Sequence, residues 1–78
     1  MRKIRVGSTV VFNKNILEFI TKNEYLKKEV CDLLLTWYND ELDFCVIAMY
    51  ETVNRGINCN IEGFAIPINC LDLADMQK

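Results

Sequence analysis

Seventy-eight residues make one domain (1–78), with no room for a second core. Apolar residues are 51% and charged residues 26%, with three Gly and one Pro, which is the composition of a globular chain and not of a disordered one. A net charge of −2 and a pI near 5.0 argue against phosphate backbones as the main partner, and 11 acids against 9 bases are too balanced to imitate a duplex.

The opening Met-Arg-Lys leads into a stretch broken by Arg5, Gly7, Ser8 and Thr9, which does not read as a secretory signal. No apolar run approaches the ~18–20 residues needed to span a bilayer. The expectation is a cytoplasmic protein. A chain of this size buries only roughly 60–65% of its unfolded surface. So high an apolar share therefore points to support from an oligomer, a metal or disulfides.

In chain order, residues 4–12 read as a strand: Val6, Thr9, Val10, Val11 and Phe12 are β-branched or aromatic, with a bend at Gly7-Ser8. Asn13-Lys14-Asn15 is a turn, and Asn15 is placed to cap a short helix starting at Ile16. Residues 16–38 fit two readings. Leu26, Val30, Leu33, Leu34 and Trp37 follow a helical spacing, while Cys31, Leu33, Leu35 and Trp37 alternate as in a strand. The first choice is irregular or short-helical structure over 14–29 and a strand over about 30–38, with one helix over about 16–38 as the alternative.

Asn39-Asp40 then breaks the pattern, and Phe44-Cys45-Val46-Ile47-Ala48-Met49-Tyr50 reads as a continuous strand. Two such runs around a polar turn predict a hairpin. Both parities of 44–50 are apolar, so both faces are expected to be covered, one by residues 16–29 or by a second subunit. Val53-Asn54-Arg55-Gly56 is a loop tip. Ile57, Cys59 and Ile61 then alternate inward, and the phase slips at Gly63 to Phe64, Ile66 and Ile68, which predicts a bulge or tight bend. Pro67 ends that strand or lies on an edge. Leu71 and Leu73 close the core.

The cysteines, Cys31, Cys45, Cys59 and Cys70, are too far apart for a zinc knuckle, and the chain has no His. They read as reduced, buried hydrophobes, with no metal or cofactor implied.

Two of these segments, Val6-Gly7-Ser8-Thr9-Val10-Val11-Phe12 and Ile66-Pro67-Ile68-Asn69-Cys70-Leu71-Asp72-Leu73, resemble the opening strand and closing turn of the small SH3-like barrels found in many bacterial and phage proteins. The resemblance covers both ends of the chain and not the middle. It implies a mainly β fold, a small barrel with a long loop or helical insert at 14–29. The alternative is an α+β fold, with one helix at about 16–38 packed on an antiparallel sheet. Such barrels serve peptide binding, nucleic-acid binding and assembly alike, so the resemblance names no single function.

Catalysis has little to stand on. Without His the commonest general base is missing, and no phosphate-cradling glycine loop is present. The carboxylates Asp40, Glu41 and Asp43 sit at a turn, where a solvated surface is the ordinary outcome. Binding fits better. Trp37-Tyr38 before the turn offers one ring to the core and one outward, with Trp37 inside and Tyr38 outside in strand geometry. The expected partner-binding set is Tyr25, Lys27, Lys28, Tyr38, Asp40, Glu41, Asp43 and Arg55. The expectation is a non-catalytic module, a small regulator or inhibitor working by protein–protein contact. The alternatives are nucleic-acid or nucleotide binding through Tyr25, Lys27, Lys28 and Arg55, or a homo-oligomer that sequesters a small ligand.

Overall fold

The computed structural model describes residues 3–53 and 56–74. The chain runs β1 (Thr9–Phe12), α1 (Asn15–Lys22), α2 (Lys28–Asn39), β2 (Asp43–Cys45), β3 (Ala48–Thr52), β4 (Gly56–Ile61), β5 (Phe64–Pro67), a 3-10 turn (Ile68–Cys70) and β6 (Leu71–Leu73). It is an α+β domain with two antiparallel three-stranded sheets, ordered β2-β1-β6 and β3-β4-β5. The mainly β expectation holds in part: strands form both sheets, but two helices fill most of residues 15–39.

In the first sheet β1 is central. Val10 faces Phe44 and Leu73, and Phe12 faces Leu71. Directly opposed residues in an antiparallel pair share a face. Val10, Phe12, Phe44 and Leu71 are accordingly buried, while Thr9, Asp43 and Cys45 on the other face are exposed. In the second sheet Cys59 faces both Met49 and Ile66, and Cys59, Ile61 and Ile66 are sealed into the core.

The two sheets meet where the 44–50 run bends. The Val46 N–H donates to Ser8 O, while the Ile47 N–H donates to Asn60 O. Within one residue the extended chain passes from one sheet to the other, so the predicted single strand is two. The expected cover on both faces is also corrected: Phe44 and Val46 are buried, but Cys45 is exposed and Ile47 is 59% exposed.

The predicted strand over 30–38, and with it the hairpin into 44–50, is replaced by α2. Its inward stripe is Val30, Leu34 and Trp37, the i, i+4, i+7 set. The alternative of one helix over 16–38 fails at Asn23–Lys27, where Asn23 turns extended and its carboxamide oxygen accepts the Tyr25 N–H. The helical insert expected within 14–29 is present as α1. Asn15 lies in its first turn, and the residue before it is Lys14; Asn13 Oδ1 accepts the Asn15 N–H. Asn13 also donates through Nδ2 to Asn69 O at 3.0 Å and Asp72 Oδ1 at 3.2 Å, tying the start of α1 to the end of the chain.

The end of α2 explains why it resembles a hairpin turn. The Glu41 N–H donates to Tyr38 O and the Leu42 N–H to Trp37 O, both at 3.2 Å. This is a Schellman closure, with Glu41 at φ 54 where glycine is usual. A non-glycine residue there carries roughly 1 kcal/mol of steric cost. Glu41→Gly is expected to stabilise the domain by about 0.5 kcal/mol, the relief of that cost less the added freedom of the unfolded chain. A denaturant midpoint unchanged or lowered would contradict this account.

Of the two outcomes expected at Gly63, the phase change is the tight bend and not the bulge. Ile61 pairs with Phe64, so Glu62 (φ 52) and Gly63 (φ 89) form a two-residue hairpin loop with positive φ at both positions. Asn60 Oδ1 accepts the Gly63 N–H at 2.9 Å and pins the turn. β5 is an edge strand, and Pro67 is its last residue, as expected. Leu71 is buried and Leu73 half-buried against the core. The predicted loop tip at 53–56 joins β3 to β4; Asn54 and Arg55 lie outside the described residues.

Candidate functional site

The predicted partner-binding residues divide between two surfaces. Tyr38, Glu41 and Asp43 line a cleft of about 760 Å³ beside β1, together with Lys14, Asn13 and Asp72. Asp43 and Asp72 both oppose Val11, one on each neighbouring strand, so the register places the two carboxylates on the outer face of the first sheet. Asp40 is exposed beyond the cleft. Among the described residues no group of three or more Cys, Asp or Glu is placed to hold a metal ion.

Tyr25 belongs elsewhere. It stands 92% exposed on the α1–α2 loop, at the edge of a groove of about 640 Å³ between α1, the start of β4 and the 3-10 turn. Phe19, Ile57, Pro67 and Ile68 supply the apolar lining, and Asn15, Glu18, Lys22 and Asn69 the polar rim. The rim is partly fixed: Asn15 Nδ2 donates to Asn69 O at 2.8 Å. Glu18 and Lys22, one helical turn apart, form an ion pair. Their hydrogen bond and mutual charge lower the Glu18 pKa and raise that of Lys22. Lys27 and Lys28 are exposed at the start of α2, outside the groove lining, and Arg55 lies outside the described residues.

Sequence reasoning missed this groove. Ile57 and Ile68 read as core residues because their spacing is that of buried positions. Only the packing of α1 beside the 3-10 turn leaves Ile57 41% exposed. Trp37 and Tyr38 also differ from the strand reading. On a helix they lie about 100° apart, and both are half-buried against the core.

The thiols split by environment. Cys59 and Cys70 are buried, Cys31 is half-buried and Cys45 is exposed, so the reading of all four as buried hydrophobes holds for two. Burial raises the Cys59 pKa; burial, with a smaller contribution from the Glu18 charge, pushes that of Cys70 from the ordinary 9.0 to about 11. The stability linked to Cys70 is complete below about pH 9. It is lost as pH rises toward 11, where the unfolded thiol is ionised and the folded one is not. Unfolding at pH 8 and at pH 10.5 is expected to show that loss, and Cys70→Ala a smaller one. With a thiol reagent at pH 8, Cys45 is expected to react first, and Cys59 and Cys70 only after unfolding.

No protein-family model, curated protein or solved structure matches the chain. Its class therefore rests on its own coordinates: a small two-sheet α+β domain, with no helix among the described residues long and apolar enough to cross a membrane. The particular feature that distinguishes it is the groove beside Tyr25.

Proposed function

We propose that this chain is a non-catalytic protein-binding module, a small regulator or inhibitor built on an SH3-like barrel arrangement. The barrel reading is supported by the strand orders β2-β1-β6 and β3-β4-β5, by the 43–52 run shared between the two sheets, and by the 3-10 turn before the last strand. The observation that carries the functional reading is the Tyr25 groove. A tyrosine left almost wholly in solvent beside an apolar lining is the composition of an interface anchor, with large area, few rotamers to freeze and a polar hydroxyl. The acidic pI favours a protein over a nucleic acid as the occupant.

Tyr25 makes no contribution to the core, so Tyr25→Ala is expected to leave stability within about 0.5 kcal/mol of the parent. The same change is expected to weaken a captured partner at least tenfold, the loss of a single hot spot. Parent, Tyr25→Ala and Ile57→Ser chains used as bait against the source-cell proteome, with titration of each captured protein, make the test. Equal capture by all three would remove the groove as the binding face. Tight, salt-sensitive binding to a single-stranded oligonucleotide would replace the protein partner by a nucleic acid.

A homo-oligomer is favoured by a separate observation. β3 is an unpaired edge of its sheet, and it carries Tyr50 at 43% exposed, with Ile47 at 59% just before it. Light scattering giving 9.1 kDa across micromolar concentrations would exclude that reading.

A further inference from the structure

A second space lies between the helices and the β3-β4-β5 sheet. It is a cavity of about 300 Å³, walled by Phe19, Val30 and Leu34 on the helical side and by Asn58, Phe64 and Ile66 on the sheet side. Its volume is at the lower bound of the pockets that take small molecules. Most of this lining is apolar. Its polar side chains are those of Asn23, Tyr50, Thr52 and Asn58, and of these Asn58 alone is buried, at 5% exposed.

A buried carboxamide ordinarily has its donors and acceptor satisfied. Among the described residues the Asn58 side chain has one hydrogen bond, a long one of 3.4 Å from Nδ2 to Thr52 Oγ1. Its Oδ1 accepts none. No sealed side-chain nitrogen or oxygen among the described residues lacks a partner, so this oxygen is not sealed. Asn58 lines the cavity.

Two of the other polar groups on the wall are already engaged. Asn23 Oδ1 accepts the Tyr25 N–H, and the Thr52 hydroxyl donates to Gly56 O. A buried acceptor on a mainly apolar wall is stabilised by a donor that a ligand brings to it. It suits an apolar body that carries one donor.

We propose that this cavity binds a small, mainly apolar ring compound bearing a single O–H or N–H donor, which the Asn58 carboxamide oxygen accepts. The site is distinct from the Tyr25 groove, with which it shares Phe19 and Asn23 of its lining. It does not depend on the protein-binding reading, and its test uses no partner protein.

The test is titration of the isotopically labelled full chain with phenol and, separately, with toluene, followed by NMR. Phenol is expected to shift the Asn58 side-chain amide and the backbone amides of Leu34 and Ala65, saturably, and to bind at least fivefold more tightly than toluene. Asn58→Leu is expected to erase or reverse that preference. Ala65→Leu, which adds bulk to the lining without touching the carboxamide, is expected to abolish the binding of both, and it carries the test if Asn58→Leu does not fold. Equal affinity for phenol and toluene in the parent chain would overturn the proposal. So would shifts that do not saturate, or that scatter over the surface.

Discussion

Trp37→Ala is expected to remove about 3 kcal/mol of folding stability, the lower part of the range for losing a large aromatic side chain, because Trp37 is only half-buried. The indole sits at the junction of the helical layer and both sheets. Its ring centroid lies 4.8 Å from Phe44, 5.9 Å from Phe64 and 6.3 Å from Phe12. Phe44 and Phe12 belong to the first sheet and Phe64 to the second, so one side chain joins α2 to both sheets. A domain of this length has roughly 4–12 kcal/mol of stability in all. The variant is thus expected to fold marginally, with a large drop in urea midpoint. Trp37→Phe, which keeps an aromatic ring in the cluster, is expected to recover at least half of the loss. A loss below about 1 kcal/mol for Trp37→Ala would mean that α2 is not docked through this residue.

Leu34→Ala is expected to cost about 3–4 kcal/mol, and Leu33→Ala less than about 1 kcal/mol. Leu34 is 1% exposed at the centre of the inward stripe of α2, and its neighbour Leu33 is 39% exposed. Leu34 also lines the Asn58 cavity, so truncation enlarges a space that the surrounding side chains already fail to fill. The pair of variants separates the two readings of this segment. In a strand, Leu33, Leu35 and Trp37 would share the buried face and Leu34 would lie opposite, which reverses the order of the two losses. Urea unfolding of both variants decides it.

Several elements were legible from residues alone. β1, the short helix near residue 16, the strands on either side of Gly63 and the closing Leu71 and Leu73 all follow from local chemistry: β-branched runs, an Asn-rich turn and a glycine with positive φ. The ambiguity lay at 30–38, where Leu33, Leu34, Leu35 and Trp37 satisfy both periods. The usual signal for a helix end was missing, since Glu41 occupies the left-handed position and no glycine marks the stop. An Asn-Asp-Glu sequence therefore looked like a hairpin turn. At Gly63 the phase slip left a bulge and a tight bend both open, because Glu62 stands where a hairpin loop usually has a turn residue; the tight bend is the one that forms.

The candidate site was less legible. Tyr25, Glu41 and Asp43 were identifiable as surface groups because their types and neighbours are those of loops and turns. That Tyr25 and Tyr38 fall on different surfaces depends on how α1 and α2 turn against the sheets, and no local pattern encodes that.

The sequence by itself determined a single acidic domain, the opening and closing strands, and the absence of a histidine-based catalytic set. Each of these is a property of composition or of residues adjacent in the chain. Tertiary structure alone decided that residues 28–39 are a helix, that the 43–52 run divides between two sheets at Val46–Ile47, and that a groove and a cavity flank Phe19. Residues far apart in sequence settle those outcomes. Docking Trp37 among Phe12, Phe44 and Phe64 favours the helix over the strand, and the backbone groups of Ser8 and Asn60 take up Val46 and Ile47 in turn.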